Sequence, residues 1–368
     1  MRESLLRTCF VLVCLGVYSG PAFAQDSILD SLQSINTPTV PSSNGDLNPY
    51  GVAFVPHGFP SGPNIAPGDV LVSNFNNSAN QQGTGTTIVS FSPTGQQNPA
   101  PFVTSTLIGL TTALGVFSRG FVIVGNLPVT YPSVTIGQGS LQVFDPNANV
   151  VGTFNDPNLL DSPWDLTIND RGSFAQVFVS NVLSGTVTRL DLSISNGQVN
   201  LLKQTQIGSG FAHHSDPSAL VVGPTGLAYD RKRDILYVAS TADNEIFALE
   251  DAAHLTSTAG TGDVVFADQT LLHGPLGLTL APNGNLITAN GDAPTVNPGG
   301  TQNDLVEFTK QGKFVATHQL DGGAPGAAFG IANTIRHGAV RFAAVDDNLN
   351  AVTIWTLREK QHDADMEK

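Results

Sequence analysis

Cysteine is nearly missing from this chain. Its only two, Cys9 and Cys14, fall in an N-terminal stretch with the marks of a secretory signal. Arg2 and Arg7 flank the start, Cys9 to Val17 is an apolar run, and Ala22-Phe23-Ala24 is a small-x-small triplet. The run is too short to span a bilayer and fits the apolar core of a cleavable signal. Residues 1–24 are therefore expected to be removed and the protein to be secreted or periplasmic. The mature chain then has no cysteine, so its core alone must hold it together. No later apolar run is long enough for a membrane span in the mature chain.

Charge is also scarce. Charged residues are 12% of the chain, about half the ~25% usual for soluble proteins. The net charge is −14, and because the signal carries Arg2, Arg7 and Glu3, the mature chain is near −15 (−14 minus +1). That acidity argues against nucleic acid and anionic membrane surfaces as partners. Catalytic signatures are missing too: there is no nucleophile elbow, no HExxH and no P-loop. What the chain has instead is 38 Gly, 23 Pro and many β-branched residues, the composition of short strands joined by turns.

Those turns repeat. Pro49-Tyr50-Gly51-Val52, Ala113-Leu114-Gly115-Val116, Pro163-Trp164-Asp165-Leu166, Pro224-Thr225-Gly226-Leu227, Pro275-Leu276-Gly277-Leu278 and Ala328-Phe329-Gly330-Ile331 open six copies of one unit, 50 to 64 residues apart. Pro fixes φ, and Gly permits close backbone approach at the start of a crowded strand. A second apolar strand follows in each copy and ends on Asn74, Asn126, Asn181, Ser240, Asn290 or Asp346. A third strand comes next, as in Thr186 to Leu190 and Ala351 to Trp355. One such meander cannot bury both faces, whereas six around an axis can. The fold expected is all-β: a six-bladed β-propeller of four-stranded antiparallel blades. The sixth copy lacks residues for a fourth strand, so a strand somewhere in Ser27 to Val40 is expected to close the ring. The domains expected are the signal (1–24), an N-terminal closing segment (25–48), the propeller (49–357) and a charged tail (358–368).

The pattern Pro-x-Gly-apolar, then Leu236-Tyr237-Val238-Ala239-Ser240, then Asn244-Glu245-Ile246 resembles the NHL-repeat propellers and the related SMP-30/gluconolactonase type. The resemblance covers roughly Asn48 to Leu357 and speaks for architecture more than activity, because such propellers host unrelated functions. It implies either a binding module or a metal-dependent hydrolase or lyase. In lactonase-type relatives, acidic or amide side chains at some x positions hold a metal. Here the x residues are Tyr50, Leu114, Trp164, Thr225, Leu276 and Phe329, which departs from that pattern. Asp165 stands one step out of register.

A four-stranded meander puts the Pro-x-Gly turns and the loops after the polar ring on one face, the top. Three top loops are long: Asn74 to Thr86, Gly125 to Ser140, and Asn290 to Asp304. Long loops within a compact repeat favour function, so a small-molecule, glycan or protein ligand is expected on this face. Tyr50, Trp164 and Phe329, with Asp165, either stack on that ligand or plug the channel as core. The ring of Asn74, Asn126, Asn181, Ser240, Asn290 and Asp346 either binds a cation or polar ligand or caps the loops that follow it. His213, His214, Asp216 and His273 are the candidates for a divalent-cation site, Ca²⁺ or Zn²⁺, or for acid/base work. His57, His254 and His337 fall on the bottom face, away from these groups.

Overall fold

A computed structural model describes residues 27–32, 40, 42–217, 219–291, 304–321 and 327–358. The expected signal peptide and the tail beyond Arg358 lie outside these residues. Six radial antiparallel sheets surround a central axis, and their innermost strands touch in sequence around the ring. Blade four shows the unit: Pro224–Asp230, Ile235–Ser240, Glu245–Glu250 and Asp263–Phe266 form a simple meander.

The second strands are buried along most of their length because both of their faces are covered. In blade three, Val177 and Val179 pack towards blade two, while Phe178 packs towards blade four. This follows from the two-residue period of a strand. Among the described residues, one apolar cluster fills each gap between neighbouring blades. Leu71 and Ile88 meet Val122 and Val124 between blades one and two. Val70 and Val72 meet Val345 and Val352 where blade six returns to blade one. Each fully buried aliphatic or Phe side chain contributes roughly 1.5–3 kcal/mol, so the gaps between blades hold the ring together.

Every inner strand slips register at its start. The shifts fall between Pro49 and Val52, Pro163 and Asp165, Pro224 and Leu227, Pro275 and Leu278, and Ala328 and Ile331. These bulges turn the x residue towards the axis. They also bring the next inner strand very close. A Cβ on Gly277 would stand 2.2 Å from the Phe329 carbonyl oxygen, and one on Gly330 would stand 2.1 Å from that of Tyr50.

Blade two departs from the alignment expected from sequence. Its shift lies between Leu110 and Leu114, and Leu114 pairs with Val124, two residues before Asn126. Val52 pairs with Val72 and Leu227 with Val238 in the same relation to Asn74 and Ser240. Leu114 is therefore the apolar residue after the bulge and not an x residue. Thr111 and Thr112 occupy the bulge and donate to the carbonyls of Pro163 and Trp164 in blade three.

Five blades have four strands. The sixth has three among the described residues: Ala328–Arg336, Ala339–Asp346 and Ala351–Arg358. Part of the expected closing segment, residues 33–39, lies outside the description. The described part, Leu29–Ser31, is a single 3-10 turn and not a strand. Ile28, Leu29 and Leu32 pack between blades five and six against Ala316, Phe342 and Trp355. The fully buried Glu307 anchors this turn, accepting from Ser27 Oγ at 2.8 Å and Leu29 N–H at 3.0 Å. Val40 N–H donates to the Asn350 carbonyl, tying the chain to blade six before it enters blade one.

Candidate functional site

The x residues meet on the axis. Tyr50 stacks between Phe329 and Phe75, both at 4.3 Å between ring centroids and with interplanar angles of 18° and 11°. Trp164 closes the group at 5.5 Å from Tyr50 and 5.9 Å from Phe75. Leu276, Val182, Leu220 and Val221 pack around them, and all are buried. Of the two alternatives for Tyr50, Trp164 and Phe329, the structure has the plug. The top end of the channel is filled with core, and Phe75, from a second strand, completes it.

The polar ring is turned into the loops. Asn126 accepts from Ser140 N–H and donates to the Ile108 carbonyl. Asn181 accepts from Asp161 N–H and donates to the Leu159 carbonyl. Asn290 accepts from His273 N–H and donates to the Leu271 carbonyl. Each thus ties the incoming connector to its own blade. Asn74 donates to Thr87 Oγ1, Ser240 donates to Asp243, and Asp346 accepts from Leu349 N–H.

The expected metal donors are not brought together. His213 and His214 lie on the connector before blade four, where His214–Asp216 pairs with Leu220–Val222 in a small hairpin. His213 Nδ1 contacts the Phe211 carbonyl, and Asp216 accepts from Ala219 N–H. His273 is buried at the start of blade five. Among the described residues, no three His, Cys, Asp or Glu side chains lie close enough to hold an ion. These residues do not fit the divalent cation that the family resemblance implies.

Below the plug the channel is open. A cavity of about 310 Å³ runs down the axis between the inner strands. Its walls are Val52, Leu114, Leu166, Leu227, Leu278 and Ile331 at the deep end, all buried. Burial then eases towards the strand ends at Phe54, Val116, Ile168 and Thr334, so the mouth is on the bottom face. The residue after each deep apolar position is small: Ala53, Gly115, Thr167, Ala228, Thr279 and Ala332. All of these but Ala228 line the cavity. That run of small residues is visible in the sequence once the register is known.

Asp165 is the one ionisable side chain lining this cavity among the described residues. It takes the place of the bulge glycine, and its Oδ2 accepts from Leu227 N–H of the next inner strand at 2.9 Å. Oδ1 accepts from Leu166 N–H at 2.8 Å. Burial pushes this carboxyl well above the usual range, and the two backbone bonds offset only part of the shift. Ser180 Oγ accepts from Asp165 N–H and donates to the Thr225 carbonyl, linking blades three and four.

No family model matches the chain, and no curated protein matches it. Solved structures do resemble it. A Thermus thermophilus protein described as a putative oxidoreductase (glucose dehydrogenase) aligns over 87% of this chain and 100% of its own, at 12% identity and a TM-score of 0.50. A luciferin-regenerating enzyme aligns over 89% and 96%, at 11% identity and a TM-score of 0.49. A Xanthomonas campestris gluconolactonase aligns over 88% and 98%, at 13% identity and a TM-score of 0.49. At such identities the likeness is one of fold, and the chain is a six-bladed β-propeller.

Proposed function

We propose that this protein is an exported binding module that takes a small, largely apolar ligand into the bottom end of its channel. One observation carries the reading: a cavity of about 310 Å³ between the inner strands, below the packed aromatic rings and lined by both apolar and polar residues. Its size and lining fall in the range of small-molecule sites, where a few polar groups orient an apolar body. Thr112, Thr167, Thr279 and Asn333 supply such groups along the wall. Binding fits better than hydrolysis because acid/base chemistry needs a second positioned titratable group. Among the described residues Asp165 has no such partner in the cavity wall, and both its oxygens already accept backbone N–H groups.

The test is a thermal-shift screen of small apolar compounds against the wild type and Ala332→Phe, which puts a large ring in the cavity wall. A ligand present at about 100 times its Kd stabilises by about 2.7 kcal/mol. Hits should raise the melting temperature of the wild type and leave that of Ala332→Phe unmoved. Equal shifts in both proteins would place the binding elsewhere.

A further inference from the structure

Resting on the channel reading, we infer that the ligand is an amphiphilic carboxylate, its apolar body in the cavity and its anion held by arginines at the bottom mouth. The ground is a segregation of charge. No Lys or Arg occurs in any top-face connection of the six blades, whereas the turns between first and second strands carry Arg119, Arg171, Arg231, Lys232 and Arg233, and Arg336 ends the first strand of blade six. Several of these turns follow directly from strands that line the cavity. Arg119 is three residues after Val116, Arg171 three after Ile168, and Arg336 two after Thr334. A protein with a net charge of −14 thus carries arginines on the bottom turns of blades two, three and four and at the bottom end of blade six.

Four of these arginines stand outside the salt bridges. Among the described residues the ion pairs are Arg189 with Asp191, His254 with Asp234, and Lys310 with Asp230. None involves Arg119, Arg171, Arg231 or Arg336. The carboxylate beside the first three, Asp170, accepts from Ser118 N–H and Gly172 N–H, while Arg231 donates to its backbone carbonyl. Asp234 accepts from Tyr229 OH and Ala253 N–H. Arg336 lies over Gly68 and within electrostatic reach of Asp69 and Arg341. Asp69 in turn accepts from Ala66 N–H. Arg119 and Arg171 are exposed, and Arg336 is half-buried. Guanidinium groups present a planar fork that matches a carboxylate, and a cavity of about 310 Å³ between the inner strands admits one alkyl or aryl body where a flat bilayer could not enter.

Calorimetric titration with decanoate, decanol and decyltrimethylammonium at low salt tests this, using wild type, Ala332→Phe and the double variant Arg119→Glu/Arg336→Glu. Decanoate should bind at least about tenfold more tightly than decanol, as expected for one charge-assisted bond. The cation should bind least. The preference should shrink with salt and vanish in the arginine variant, whose affinity for decanol should persist. Equal binding of decanoate and decanol, abolished in Ala332→Phe, would overturn the anion inference and leave the channel reading standing. If none of the three binds, or if Ala332→Phe binds as the wild type does, both fall. Sedimentation with phosphatidylglycerol vesicles without decanoate binding would overturn the inference in favour of a bilayer surface.

Discussion

The two ends of the channel are built by the same six strands, yet one is solid and the other hollow. At the top, bulges aim Tyr50, Trp164, Leu276 and Phe329 at the axis, where they pack with Phe75 into a buried cluster. A few residues further down, Ala53, Thr167, Thr279 and Ala332 leave the axis empty. At the top the axial side chains are aromatic rings packed on one another, and below them the inner strands leave a cavity between them. The largest test of this contrast is Tyr50→Ala. It removes the ring held between two stacked partners and should cost about 3–5 kcal/mol, the usual range for a buried aromatic. Urea denaturation would measure it, and a loss under about 1 kcal/mol would show that the plug is not structural.

Much of this was legible in the sequence. The six Pro-x-Gly openings and the polar ends of the second strands predict the blades, because both features serve local backbone geometry. The resting place of the x residues was not legible, because it depends on rings from blades one, three and six meeting across the axis. Blade two shows a second limit. Ala113-Leu114-Gly115 imitates the motif, but the bulge comes earlier, at Thr111 and Thr112. Asp165 stands out in the sequence as a departure from glycine, and the structure explains it as the acceptor for Leu227 N–H. The cavity below was hidden, since single Ala, Gly and Thr residues carry no signal until six of them are aligned by register.

Charge sharpens the contrast between the faces and gives a pH prediction. On the top, burial raises Asp304 and Asp346 to about 6 and Asp347 to about 7, with Asp321 adding to the first two and Asp346 to the third. On the bottom, burial also acts on Asp230, but its bond to Lys310 outweighs it and the carboxyl ends below the usual range. A carboxyl raised on folding binds its proton more tightly in the native state, so its contribution weakens as pH rises. The top-face group should therefore lose stability between about pH 4 and pH 7, by at most about 3 kcal/mol for Asp304 or Asp346 and about 4 kcal/mol for Asp347. Denaturation midpoints across that window should fall with pH, and Asp346→Asn should flatten the slope. A slope of opposite sign would mean that the bottom-face carboxylates dominate instead.

The smallest effects separate loop-tying residues on the top from wall residues on the bottom. Asn181→Ala would leave Asp161 N–H and the Leu159 carbonyl without the bonds they now make to this side chain. A buried polar group that loses its partner costs about 1–3 kcal/mol, so this variant should unfold measurably earlier in urea. Thr334→Ala, at the open end of the cavity, removes little packing and should stay within about 0.5 kcal/mol of wild type. Any change it brings should appear in ligand affinity and not in stability. If the two variants proved equally stable, the polar ring would not be the brace that its hydrogen bonds describe. If Thr334→Ala were the weaker of the two, the bottom mouth would be part of the structural core and a poor place for a ligand.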